Sequence, residues 1–285
     1  MMTRTKNPIG ISNVIILMIV LLLPHGRTWG ESLQINGFEM HYEVIGEGDP
    51  LVLLHGFFGA GVVWDGVSGE FAENFQVIIP DLRGHGASTN PSGKFRHKQS
   101  ALDVYSLLDH LKIDSFKAMG ISTGGMTLLH MATQQPARID SMVLIGATTY
   151  FPEVAREIQH SMDPNNVPEE RIRQFRERHK HGDAQIVSLM NQFSDFADNY
   201  DDMNFTAPYL STITAKTLIV HGDRDRHFPV NIPFEAYKAI PDSYLWIVPN
   251  GGHVPIFDSI QDYFVETAKS FLTDQMVKRR DKHIE

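Results

Sequence analysis

The stretch Phe116-Lys117-Ala118-Met119-Gly120-Ile121-Ser122-Thr123-Gly124-Gly125 decides the fold. Residues 116–119 read as a strand, and residues 123–135 as a helix that stops before Pro136. Between them lies Gly-x-Ser-x-Gly. A serine at such a junction sits on a sharp turn with strained backbone angles, and its hydroxyl projects clear of the sheet. Gly120 and Gly124 leave space where a side chain would strike the neighbouring strand or helix, and Gly125 allows close helix–sheet packing. The helix that begins at Thr123 turns its positive end toward any negative charge that develops there. A five-residue pattern recurs by chance as a plain structural turn; the strand before it and the helix after it favour a functional serine.

Outward from this point the chain alternates strands and helices. Residues 33–35 and 40–44 flank Asn36-Gly37, a strong hairpin signal. Residues 51–54, 77–79, 142–145 and 217–220 are short, wholly apolar runs of the kind buried on both faces of a sheet. Residues 244–248 form the last strand. Leu102, Tyr105, Leu108 and Leu111 share one side of a helix over 102–111, and residues 260–272 form the last helix. This order predicts an α/β fold: a mostly parallel eight-stranded sheet flanked by helices, with an antiparallel edge from the hairpin.

The alternation breaks at residues 147–208. That stretch is polar and charged, with helical pieces at 169–180 and 186–196. It is too long for an ordinary connection and reads as an inserted helical lid. The core then comprises residues 31–146 and 209–275, and residues 276–285 form a charged tail. Residues 1–30 open with Arg4 and Lys6, continue through an apolar run at 14–23 and end in small residues near Thr28 and Gly30. This is the layout of a secretory signal peptide, and it implies a secreted or periplasmic protein. An uncleaved membrane anchor is the alternative, although the run is shorter than the ~20 residues that span a bilayer.

Composition limits the function further. The 285 residues are 42% hydrophobic and 21% charged, an ordinary globular balance, with a net charge of −9. Loss of the leader would remove Arg4, Lys6 and Arg27 and leave 22 bases against 34 acids. So acidic a chain with no basic tract is poorly suited to nucleic acid. The absence of cysteine excludes disulfides, thiolate metal sites and a cysteine nucleophile. No zinc-protease, phosphate-loop or dinucleotide motif occurs, so neither a metal nor an organic cofactor is expected.

Four further loops follow predicted strands. His55-Gly56-Phe57-Phe58-Gly59 follows the third, and its glycines can turn backbone N–H groups inward. The N–H groups of Phe57 and Thr123 are the candidates for an oxyanion hole. His55 is expected to brace this loop rather than act as a base. In Asp81-Leu82-Arg83-Gly84-His85-Gly86, Asp81 and Arg83 are expected to pair, and His85 to be exposed. His221-Gly222-Asp223-Arg224-Asp225 offers two acids that could orient an imidazole, Asp223 and Asp225. Asn250-Gly251-Gly252-His253 presents His253 on a glycine turn past the last strand, which singles it out among fourteen histidines.

In these residues the chain resembles the lid-bearing branch of the α/β-hydrolase superfamily, which includes esterases, carbon–carbon bond hydrolases, lactonases and cofactor-free haloperoxidases. His55-Gly56, Asp81-x-Arg83-Gly84-x-Gly86-x-Ser88, Gly120-x-Ser122-x-Gly124, Gly222-x-x-Asp225 with Pro229, and Gly252-His253 match its motifs in order. The resemblance selects Asp225, three residues after the loop glycine, over Asp223. Thr123 departs from the Met, Gln or Leu of many relatives, but only its backbone is needed. Ser122 stands where related dehalogenases and epoxide hydrolases carry Asp, which argues against those activities.

The resemblance implies a serine hydrolase with Ser122, Asp225 and His253 as its triad. It would cleave an ester, thioester or lactone of a small to medium organic molecule through an acyl-enzyme. Phe151, Leu189, Phe193 and Phe196 are candidates for the apolar roof. Two other enzyme readings are a carbon–carbon bond hydrolase and an aminopeptidase, the latter using Glu153, Glu157, Glu169 or Glu170 to grip an amine. From another class, the chain could be a small-molecule receptor that does not turn its ligand over.

Overall fold

A computed structural model describes residues 30–276. The proposed leader, apart from Gly30, and the charged tail, apart from Met276, lie outside the described residues. Eight strands form one sheet: β1 (Glu31–Ile35), β2 (Phe38–Ile45), β3 (Asp49–Leu54), β4 (Phe75–Pro80), β5 (Phe116–Ile121), β6 (Ile139–Ile145), β7 (Lys216–Gly222) and β8 (Ser243–Val248). Their spatial order is β1-β2-β4-β3-β5-β6-β7-β8. The β1–β2 and β2–β4 pairs are antiparallel and all others parallel. Ile35 pairs with Phe38 across a two-residue turn in which Asn36 and Gly37 both have positive φ, the geometry that suits a twisted hairpin.

Two hydrophobic layers explain the continuous apolar runs. Val52 and Leu54 of β3, with Met142 and Leu144 of β6, face one layer. There they meet α2 (His97–His110), α3 (Thr123–Gln134) and α8 (Asn231–Ala239). Leu51, Leu53, Val143 and Ile145 face the other layer, beneath α1 (Asp65–Ala72) and α9 (Gln261–Leu272). A strand covered on both sides needs apolar residues at every position rather than at alternate ones. Full burial of each such side chain contributes about 1.5–3 kcal/mol.

Between β6 and β7 the chain leaves the sheet and forms α4 (Glu153–His160), α5 (Glu169–Arg178), α6 (Asp183–Asp195) and the short α7 (Ala207–Leu210). A third, smaller apolar cluster lies here, where Phe58 meets Phe175, Ile186, Leu189 and Met190. Asp202 ties the end of this insert to the core. Its carboxylate accepts from the His97 ring and from the backbone N–H groups of His97 and Lys98, at the start of α2.

Candidate active site

Ser122 stands alone between the end of β5 and the start of α3, with φ 49° and ψ −113°. Its N–H donates to the Ile145 carbonyl on β6 at 2.7 Å, and its own carbonyl accepts from Met126 at 2.8 Å. The strained backbone is thus held by bonds on both sides. Glycine at 124 has a steric reason: a Cβ there would run into the carbonyl of Leu54 on β3, 2.6 Å from its carbon.

His253 and Asp225 come to Ser122 on the loops that follow β8 and β7. His253 Nε2 lies 2.9 Å from Ser122 Oγ, and His253 Nδ1 lies 2.8 Å from Asp225 Oδ2. The loop between Asp225 and Phe228 wraps around the acid. Asp225 Oδ1 accepts the backbone N–H groups of His227 and Phe228 at 2.7 and 3.2 Å. Burial alone would push the Asp225 carboxyl up. The His253 bond, the charge that ring can carry and the two N–H groups outweigh it and hold the carboxyl below its ordinary range. Asp225 therefore stays ionised and accepts from Nδ1–H, which leaves Nε2 free to accept the serine proton. Asp223 is not bonded to His253; among the described residues its carboxylate approaches Arg224, at 3.8 Å.

Phe57 and Thr123 border the same cavity as Ser122. Gly56 packs against the serine itself, its Cβ position lying 3.5 Å from Ser122 Cβ. His55 braces this loop. Its Nε2 accepts from the Leu82 N–H at 2.9 Å, so Nδ1 carries the proton and donates to Gly56 O at 2.8 Å.

Two sequence expectations are corrected in the next loop. Asp81 and Arg83 do not pair. Arg83 makes a bidentate bond to Asp103 of α2, with both contacts at 2.8 Å. Asp81 instead accepts from Gly61 N–H, Ala87 N–H and His41, and so knits two loops together. His85 is fully buried, not exposed, and packs its ring against His55, Phe57 and Phe95. Both departures arise from contacts between distant segments, which a local reading cannot supply.

The cavity above Ser122 measures about 550 Å³. Phe151, Phe193 and Phe196 border it; Leu189 is buried one layer back, beside Phe58 and Phe175. None of Glu153, Glu157, Glu169 and Glu170 borders it. Glu169 and Glu170 instead pair with Arg176 and Arg173 of their own helix. The charged residues that do border it, besides the histidines, are Asp163, Arg171 and Arg226. Sequence reasoning passed over both arginines and His227. Arg226 and His227 directly follow Asp225, and that adjacency was the available signal. Arg171 lies on α5 and carried none. Burial pushes His227 down from its ordinary pKa; the nearby His253 and Arg171 add to the effect and Asp225 opposes it. A second cavity, of about 580 Å³, shares Gly56, Phe57, Phe58 and Arg171 with the first. Among the described residues no group of three or more His, Asp or Glu side chains could hold a metal ion.

Residues 49–203 match the family described as alpha/beta hydrolase fold. The chain belongs to the α/β-hydrolase family. A 111-residue stretch is 38% identical to a soluble epoxide hydrolase of Corynebacterium sp. (strain C12) and covers 39% of each chain. The serine hydrolase BPHL of Homo sapiens is 29% identical over 250 residues, 84% of each chain. Among solved structures, a meta-cleavage product hydrolase from Pseudomonas fluorescens IP01 superposes with a TM-score of 0.71 at 21% identity, over 86% of this chain and 98% of that one. The last likeness is one of fold. In this α/β-hydrolase, as the sheet order shows, every loop that reaches the cavity from the core leaves the C-terminal end of a parallel strand.

Proposed function

We propose that the chain is a serine hydrolase that cleaves an ester, thioester or lactone through an acyl-enzyme. The hydrogen-bonded run Ser122–His253–Asp225 carries the reading. In the first half-reaction His253 Nε2 takes the Ser122 proton as Oγ bonds to the substrate carbonyl carbon. The oxyanion is held by the N–H groups of Phe57 and Thr123. His253 then gives its proton to the leaving oxygen or sulfur as that bond breaks. In the second, His253 takes a proton from water, water oxygen bonds to the acyl carbon, and Ser122 leaves with the proton on Oγ. The 147–208 insert serves as a lid, its Phe151, Phe193 and Phe196 excluding water from the acyl group.

The cavity chemistry narrows the substrate. Arg171 and Arg226 border it, and neither is paired with a carboxylate among the described residues. Two guanidiniums at the wall of a pocket that holds a single carboxylate, Asp163, suit a substrate with a carboxylate remote from the reacting carbonyl. The same feature suits the second reading, carbon–carbon bond hydrolysis, which the fold likeness to a meta-cleavage product hydrolase also supports. An aminopeptidase is disfavoured, because none of the four glutamates borders the cavity above Ser122, and Glu170, which borders the adjoining one, is paired with Arg173.

Steady-state release of p-nitrophenol from short- and medium-chain acyl esters, beside Ser122→Ala, tests the proposal. Turnover that vanishes in the variant is expected. A folded wild type that releases at most one equivalent would reject it in favour of a receptor. The leader at residues 1–30 fits export to a secreted or periplasmic location. Mass spectrometry of the protein from the extracellular or periplasmic fraction should find a chain that begins near residue 31, and a full-length chain in the membrane fraction would instead indicate an anchor.

A further inference from the structure

Phe58 occupies a backbone conformation that a bulky side chain avoids. Its φ is 61°, in the left-handed region that favours glycine. It is the third residue of a tight turn closed by Gly59 N–H donating to Gly56 O at 2.9 Å. A positive φ at that position of a turn normally calls for glycine. The residue before it in the turn is Phe57, whose N–H is assigned to the oxyanion.

The local sequence gives no reason for this conformation, but the insert supplies one. The Phe58 ring stacks on Phe175 of α5, with centroids 5.1 Å apart and planes 24° apart. It leans on Phe193 of α6 at 5.1 Å and meets the edge of Phe57 at 5.0 Å. Ile186, Leu189 and Met190 of α6 complete the cluster. Strain of this kind persists only where surrounding packing over-determines it. Without those contacts, a non-glycine residue would relax to negative φ. Its rotation would draw Gly59 N–H away from Gly56 O, and that carbonyl shares its peptide plane with the Phe57 N–H, which would lose a bond that fixes its direction.

We infer that Phe58 is a positioning residue: packing of the insert's aromatic rings against it holds the oxyanion turn in its strained, competent form, so that docking of α5 and α6 completes the catalytic site. This inference rests on the proposed role of the Phe57 N–H.

Four variants test it: Phe58→Ala, Phe58→Gly, Phe175→Leu and the double variant Phe58→Gly/Phe175→Leu. The readouts are kcat, KM and Tm on the ester that the wild type prefers. Phe58→Ala keeps the strain and loses the clamp, so kcat should fall by roughly 10- to 100-fold with KM changed far less. Phe58→Gly also loses the clamp, but glycine adopts this φ without strain, so most of kcat should return. Phe175→Leu should lower kcat when Phe58 is present and have little further effect beside Phe58→Gly. A merely structural role predicts the opposite order, with glycine no better than alanine. That result, or an equal Phe175→Leu effect in both backgrounds, overturns the inference. If Phe58→Ala does not fold, the Phe175→Leu comparison in the two backgrounds decides alone. A wild type with no turnover, whose Ser122 resists a fluorophosphonate, defeats the hydrolase reading itself and this inference with it. An active wild type with a flat variant series defeats only the inference.

Discussion

Asp225 divides its carboxylate between two duties: Oδ2 holds His253 Nδ1 at 2.8 Å, while Oδ1 accepts the backbone N–H groups of His227 and Phe228. Orientation of the base and closure of the loop are therefore separable. In Asp225→Asn the amide oxygen can keep the loop bonds, which turns its NH₂ group toward His253. Nδ1 must then accept, and the proton moves to Nε2, the nitrogen that should take the serine proton. A fall in kcat of about 10³- to 10⁴-fold is expected, with near wild-type urea stability. Unimpaired turnover of acyl esters by this variant would remove Asp225 from the triad.

The proposed part of Arg171 and Arg226 lies in specificity rather than in the bond-breaking step. With Arg171→Ala, KM for a p-nitrophenyl ester that ends in a carboxylate should rise about tenfold, the effect of losing one charge-assisted contact. A neutral ester of equal length should be hydrolysed as before. A parallel loss on both esters would assign Arg171 to packing of the insert instead.

Two glycine substitutions should act in opposite directions. Gly124→Ala drives a methyl into the Leu54 carbonyl, which neither strand nor helix can yield, and should cost about 3 kcal/mol or more along with activity. Gly69 lies exposed within α1, with nothing within 4 Å of its Cβ position. Gly69→Ala should raise stability by about 0.5–1 kcal/mol, because alanine loses less backbone freedom in a helix. Urea titration of both variants checks the pair.

Buried histidines should make the fold sensitive to mild acid. Burial lowers the pKa of His130 and of His179 to about 4, and lowers His55, His85, His221 and His227 as well. Between pH 6.5 and about 4 the unfolded chain binds protons that the folded chain refuses, so stability falls as pH falls through that window. Burial alone would raise Asp202, but its bonds from His97 and Lys98 hold it at about 2; its contribution is lost below pH 4. His41, raised by its bond to Asp81, works in the opposite sense as a single group. The urea midpoint should drop markedly between pH 7.5 and 4.5. His179→Asn can still accept the Gly86 N–H that His179 Nδ1 accepts at 3.0 Å, and should show a shallower drop. Equal midpoints at the two pH values would contradict the neutral buried state of these rings.

The strands were legible because each is covered on both faces, so that runs such as Leu51 to Leu54 could not alternate. Ser122 and His253 were legible because each follows a strand at a glycine turn, a local signature; Asp225 was separated from Asp223 by the family resemblance. Helices α1, α4, α7 and α8 were not placed: α1 carries Gly66 and Gly69, α4 is short and mostly polar, and α7 is a single turn. The pairing of Arg83 with Asp103, the burial of His85 and the place of Arg171 at the cavity all depend on which distant segments meet. No local pattern encodes that. The Phe58 turn was hidden for a further reason: its sequence argues against its conformation, and only α5 and α6 reverse the balance.

The order of the sheet also sets a schedule. Ser122 follows β5 at the centre of the sheet, whereas the His253 imidazole bonded to it follows β8 at the far edge, 131 residues later. A chain folded only through β7 would hold the serine turn with no imidazole beside it. The Ser122–His253 bond thus ties the centre of the sheet to its edge, and it can form only once the last strand is in place.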